Sequence, residues 1–118
     1  MTNKEIGKYG ENLAKKYLEN LGYKILDMNY KYSRYGEIDI IALYKNELCF
    51  VEVKTRRNDK FGTTMEAITK DKLIKIQLSA KNYIQEKKPK FEHFRIDAIS
   101  IELKENKEEI THIKNIEF

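Results

Sequence analysis

The stretch Glu37-Ile38-Asp39-Ile40-Ile41-Ala42-Leu43-Tyr44-Lys45-Asn46-Glu47-Leu48-Cys49-Phe50-Val51-Glu52-Val53-Lys54-Thr55-Arg56-Arg57 decides how this chain folds. Two β-prone apolar runs flank the polar pair Lys45-Asn46, which predicts strands over Glu37–Tyr44 and Glu47–Arg57 joined by a tight turn. A two-residue turn sets Asp39 opposite Glu52 and Glu37 opposite Lys54, with Cβ atoms about 4.5–5.5 Å apart. Because strand side chains alternate, Glu37, Asp39, Ile41 and Leu43 share a face with Leu48, Phe50, Glu52, Lys54 and Arg56. The opposite face, Ile38, Ile40, Ala42, Tyr44, Cys49, Val51 and Val53, is apolar throughout. Apolar residues on both faces place this hairpin in the middle of a sheet covered on two sides.

Upstream of the hairpin, Thr2 with Glu5 forms a capping-box signature. A helix is expected from about Asn3 to Leu21, with Ile6, Tyr9, Leu13, Tyr17 and Leu21 at helical spacing and Gly22 as its C-terminal cap. Gly10 falls near the middle of the apolar stripe, where glycine costs about 1 kcal/mol of helix propensity. Close approach of the helix to a sheet would compensate. Tyr23–Tyr30 is expected as a strand and 31–36 as a loop. Downstream, Thr69 caps a helix to about Lys87, with Leu73, Ile76, Ala80, Tyr83 and Ile84 inward, and Pro89 stops it. Phe91–Ile101 and Glu109–Phe118 complete the strands. The order αβββαββ predicts an α/β fold, a mixed central sheet flanked by helices, in one domain spanning 1–118.

The totals agree with one modest domain. The chain has 118 residues, 41% hydrophobic and 36% charged, with a formal net charge of +4. Residues 53–90 hold eleven Lys or Arg against four acids, and residues 101–118 three Lys against five Glu. This asymmetry favours an anionic partner on the middle segment. A lysine-rich solvated surface would look the same. Cys49 is alone, so no intramolecular disulfide forms. No apolar run approaches a membrane span of about 18 residues, and the start carries no apolar leader. A cytoplasmic protein is expected.

Two opposed carboxylates beside apolar walls require compensation: a shared proton, the Lys54 ammonium, or a divalent cation. Magnesium accepts one or two carboxylates together with phosphate and water. A cation held there would polarise a phosphodiester and lower the pKa of a bound water, and a lysine would stabilise the developing charge. The pattern Glu-x-Lys occurs four times, starting at Glu52, Glu86, Glu102 and Glu105. Only the first copy lies in a continuous apolar strand with an acid on the preceding partner strand. The residues alone leave a metal site and a cross-strand ion-pair network, Glu37 with Lys54, both open.

Three ordered motifs then narrow the reading: Gly7-x-x-Gly10-Glu11, Gly36-Glu37-Ile38-Asp39-Ile40-Ile41 and Phe50-Val51-Glu52-Val53-Lys54-Thr55-Arg56. With Tyr17-Leu18, Gly22-Tyr23 and Phe61-Gly62, they resemble the YraN-like family over nearly the whole chain. That family resembles a branch of the PD-(D/E)xK nuclease superfamily, which has the restriction-endonuclease-like fold and includes Holliday-junction resolvases. The resemblance implies catalytic roles for Asp39, Glu52 and Lys54. It implies metal ligation by Asp39, Glu52 and the Val53 carbonyl, with Glu11 joining directly or through water. The cofactor implied is Mg2+, with Mn2+ as a substitute. Here Glu37-Ile38, and no proline, precedes Asp39.

Around these residues, Arg56, Arg57, Lys60, Lys70 and Lys72 are placed to hold flanking phosphates. Lys75 and the helix start near Thr69 add to them. Tyr30, Tyr32 and Tyr35, alternating with Lys31 and Arg34, can stack on unpaired bases or simply pack. Ile74 and Leu78 lie away from the inner face of their helix, and cutting two strands would call for a homodimer. His93 and His112 lack ligand spacing, and Asp97 reads as structural. The function expected is a metal-dependent endonuclease acting on DNA, favoured over RNA, with branched or structured DNA as a candidate substrate. The alternatives are a catalytically inactive nucleic-acid-binding module and a protein-interaction domain.

Overall fold

The computed structural model describes residues 1–57 and 68–117. Lys60, the Phe61-Gly62 pair and the Tyr35 ring lie outside what is described. The elements are α1 (Asn3–Asn20), β1 (Lys24–Lys31), a one-turn 3-10 helix (Ser33–Tyr35), β2 (Glu37–Tyr44), β3 (Glu47–Arg57), α2 (Lys70–Lys87), β4 (His93–Lys104) and β5 (Lys107–Ile113). The sheet order is β1-β2-β3-β4-β5. β3 and β4 run parallel, and the other three pairs are antiparallel. The mixed sheet and the order αβββαββ are those the sequence predicts. None of the described helices is long and apolar enough to cross a membrane.

Both helix starts follow local chemistry. Thr2 and Glu5 exchange the two hydrogen bonds of a capping box, satisfying amides that the first turn leaves unpaired. The Thr69 hydroxyl accepts from the Lys72 amide in the same way. At the end of α1, Tyr23 N–H reaches Leu18 O and Gly22 N–H reaches Glu19 O, with Gly22 at φ +97°. That is a Schellman closure, which needs a left-handed residue at this position.

Each helix covers one face of the sheet. α1 buries Ala14 and Leu18 against Ile40, Ala42, Cys49, Val51, Val53, Ile99 and Ile101. α2 buries Leu73, Ile76, Ala80 and Tyr83 against Ile38, Ile41, Leu48, Phe50, Ile96 and Ala98. The buried line of α1 is Ile6-Gly10-Ala14-Leu18. Tyr9 and Leu21, expected inward, are 40% and 48% exposed. Small residues at Gly10 and Ala14 let the helix axis approach the sheet, and this moves the contact line toward them.

A Cβ built on Gly10 would stand 1.7 Å from Thr55 Oγ1 and under 3 Å from both Thr55 carbons. The helix therefore rests directly on β3, as the mid-stripe glycine foretold. Gly10→Ala is expected to lower stability by about 1–3 kcal/mol through overpacking. This loss outweighs the gain of about 1 kcal/mol in helix propensity. Urea denaturation measures it, and Thr55→Gly in the same chain should return most of the loss. An unchanged midpoint for Gly10→Ala alone would refute the close contact.

Candidate metal and nucleic-acid site

The hairpin turns at Lys45-Asn46, and its ladder runs from Tyr44↔Glu47 to Ile40↔Val51, in the predicted register. It stops there. Asp39 and Glu52 are not ladder partners, and the Asp39 carboxylate accepts the Val53 amide at 2.8 Å. Asn29, in the β1 interval opposite Asp39, has φ +53°. Strict alternation fails at this point: Ile38 packs under α2 while Ile40 packs under α1. Ile38 thus leaves the face predicted for it. Beyond Val51, β3 keeps β4 on one side, from Glu52↔Ala98 to Arg57↔Leu103, while β2 no longer pairs with it. The fork between β2 and β3 opens a cleft.

That cleft, about 860 Å³, is lined by Glu11, Asp39, Glu52, Val53, Lys54, Arg56, Arg57 and Lys72, with Asn3, Ile6, Gly7 and Thr55. A second hollow of about 460 Å³ shares Asp39, Glu52 and Lys72 and extends to Glu37, Thr69 and Lys75. The fork therefore joins both sides of the sheet, and Asp39 and Glu52 open into the same space. α1 delivers Glu11, whose carboxylate accepts from Asn29 Nδ2 at 2.9 Å. α2 delivers Lys72, whose ammonium lies 3.0 Å from Glu52 Oε1.

The electrostatics are strained. Asp39 is 7% exposed. Burial, then the charges of Glu52, Glu11 and Glu37, push its carboxyl from 3.8 up to about 8, with the Val53 hydrogen bond opposing them. Glu37 and Lys54 line different hollows and form no ion pair among the described residues, so the predicted cross-strand pair does not form. Lys54 is exposed. Arg57 hydrogen-bonds the Met1 carbonyl at 3.0 Å.

Three sequence-predicted contacts lie away from the cleft. Arg34 borders a shallow hollow with Lys31, Ser33, Gly36 and Glu37. Tyr32 borders another with Leu78, Lys81, Asn82 and Gln85. Lys70 is exposed at the start of α2 and lines neither of the two clefts at the fork. The Tyr30 ring packs edge-on against Tyr83, and its hydroxyl accepts from Asn82 at 2.6 Å, so it is a packing residue. Cys49 is fully buried. Burial first of all pushes its thiol up to about 12, which leaves it inert as a nucleophile.

A separate polar network escaped the sequence reading. Asp97, fully buried, accepts from Arg95 Nε at 3.0 Å and from the Asn115 amide at 3.0 Å, and lies 2.8 Å from His112 Nε2. Arg95 also reaches Glu47 and the Tyr23 hydroxyl, both at 2.6 Å. His112, isolated in sequence, comes beside Asp97 because the β4–β5 hairpin pairs it with Ile99. The structural role expected for Asp97 fits this arrangement.

Comparison with known proteins gives the lineage. The profile of "Uncharacterised protein family UPF0102" matches residues 10–101. A UPF0102 protein of Alkaliphilus oremlandii (strain OhILAs) is 44% identical over 115 residues, covering 96% of this chain and 97% of the relative. One of Dictyoglomus thermophilum is 48% identical over 101 residues, covering 86% and 85%. One of Sulfurihydrogenibium sp. (strain YO3AOP1) is 44% identical over 115 residues, covering 98% and 96%. The chain belongs to UPF0102, the YraN-like family that its three motifs resemble.

Proposed function

We propose that this protein is a metal-dependent endonuclease that hydrolyses phosphodiester bonds of DNA, with branched or otherwise structured DNA as the favoured substrate. One observation carries the reading: Asp39 and Glu52 open into a single cleft that also holds Lys54, Glu11 and a rim of arginines.

The donor set suits a hard cation. No three His, Cys, Asp or Glu side chains are gathered into a ready cage among the described residues. Magnesium does not require one, since it keeps several waters and shares its shell with substrate phosphate. Burial and then the crowding of like charge raise Asp39, and a divalent ion would offset both by supplying a compensating positive charge. Asp39, Glu52 and the Val53 carbonyl would hold Mg2+ or Mn2+, with Glu11 reached through water. Bound there, the ion supplies Lewis acidity and a water of lowered pKa.

The chain's own groups do the rest. The Val53 amide fixes the Asp39 carboxylate so that it needs no reorganisation. Lys54 stands at the rim of the cleft to stabilise charge on the phosphate and orient the attacking water. Arg56, Arg57 and Lys72, aided by Lys60 and Lys70, grip the flanking phosphates, and Tyr32 and Arg34 extend the track over the loop. The exposed side chains of Ile74 and Leu78 would form the contact of a homodimer able to cut two strands.

The test is incubation of the protein with branched, single-stranded and duplex DNA, and with RNA, in magnesium or manganese. Cleavage that EDTA abolishes is expected, falling about 10²-fold in Lys54→Ala. Binding should weaken steeply between low and moderate salt. Salt-sensitive binding with no cleavage of any nucleic acid in either metal would instead identify a binding module that has lost turnover.

A further inference from the structure

We infer that Lys72 is an internal stand-in for the metal and links cation binding to substrate binding. The inference rests on the nuclease reading above. Three observations carry it. Lys72 forms an ion pair with Glu52 at 3.0 Å, with 11% of the Glu52 side chain exposed. Among the described residues it is also the one lysine or arginine that lines both hollows meeting at the fork. Lys54, the lysine of the motif strand, forms no ion pair with the acids among the described residues. The counter-charge on Glu52 is therefore supplied from α2 and not from β3.

Glu52 cannot serve the Lys72 ammonium and a divalent cation at full strength together, since two positive charges on one carboxylate repel. A cation on Glu52 repels the Lys72 ammonium, and the position of Lys72 decides where it goes. It sits in the first turn of α2, beside Thr69 and within reach of the basic rim, where a substrate phosphate would lie. Its flexible four-carbon stem and compact charge suit a two-position role. With no nucleic acid present, Lys72 neutralises Glu52 and weakens the hold on the cation. A bound phosphate draws Lys72 off Glu52, freeing the carboxylate for the metal. By linkage, nucleic acid then tightens metal binding and metal tightens nucleic-acid binding by the same factor. The arrangement would hold the protein inactive until a phosphodiester is in place.

The experiment measures Mn2+ affinity by electron paramagnetic resonance of the free ion. It compares the protein and Lys72→Gln, with and without a branched DNA, in a Lys54→Ala background that keeps every carboxylate and suppresses cleavage. Lys72→Gln is expected to bind Mn2+ about fivefold more tightly than its parent without DNA, and to lose most of the tightening that DNA produces in the parent. Equal affinities for the two proteins, both responding alike to DNA, would overturn the role of Lys72 and leave the nuclease reading standing. No Mn2+ binding by either protein, with native circular dichroism retained, would overturn both. Lys72→Arg keeps the charge and should retain the coupling, which separates this role from a packing effect.

Discussion

Asp39→Asn protein is expected to bind branched DNA yet cleave it about 10³-fold more slowly than the parent, and to be the more stable of the two at pH 8. Asparagine keeps an oxygen able to accept the Val53 amide, so the fork should survive while a metal ligand is lost. The stability gain follows from linkage. The Asp39 carboxyl titrates near 8 in the folded protein against 3.8 for the free group. Between those values the folded chain holds a proton that the unfolded chain has released. Stability therefore falls as pH rises through this window, by up to about 1.4 kcal/mol per pH unit. The neutral amide of the variant has no proton to lose and removes that slope. Urea denaturation without metal should show the two proteins drawing together near pH 4 and diverging toward pH 8. Added magnesium should stabilise only the parent. A variant that is less stable at every pH would mean that Asp39 is a structural carboxylate.

Asp97→Ala is the substitution expected to do most harm to the fold, at about 3–5 kcal/mol near neutral pH. It leaves the Arg95 guanidinium, itself 8% exposed, without its main counter-charge. Burial alone would raise the Asp97 carboxyl. The His112 and Asn115 hydrogen bonds and the Arg95 charge outweigh it and hold the group below its ordinary value. The stabilisation it gives is thus present above the unfolded-state pKa of 3.8 and is lost as pH falls through the folded-state value. The gap between parent and variant, read from urea midpoints, should be full at pH 7 and close in strong acid. Replacing both charges, Arg95→Met with Asp97→Leu, should cost much less than Asp97→Ala alone. DNA cleavage should persist in whatever fraction stays folded, because this network lines neither of the hollows at the fork.

The parts legible in the sequence were those set by neighbours along the chain. Thr2 with Glu5, Gly22 and Thr69 declared their helix ends through capping chemistry that spans three or four residues. The hairpin register followed from a two-residue turn, and the inner face of α2 from its apolar spacing. The acid pair was legible because it interrupts apolar strands. What escaped depended on contacts across the fold. Period-two counting could not detect the left-handed Asn29 or the break at Asp39 that sends Ile38 and Ile40 to opposite sides. Hydrophobic spacing drew the stripe of α1 through Tyr9 and Leu21, although Gly10 and Ala14 make the closest approach. His112 and Asp97 are fifteen positions apart and meet only through a hairpin. The pairing of Lys72 with Glu52 depends on where α2 comes to rest, which no local pattern encodes.

The early end of the β2–β3 ladder has one more consequence. From Glu52 onward one margin of β3 is bare of any strand among the described residues, and such a margin is a template on which a foreign chain can zip. Along it stand Lys54, Arg56 and Arg57, whose mutual repulsion would turn away an identical chain. Cations proposed to hold a polyanion would thus also guard against self-templated aggregation, and neutralising them is expected to lower solubility.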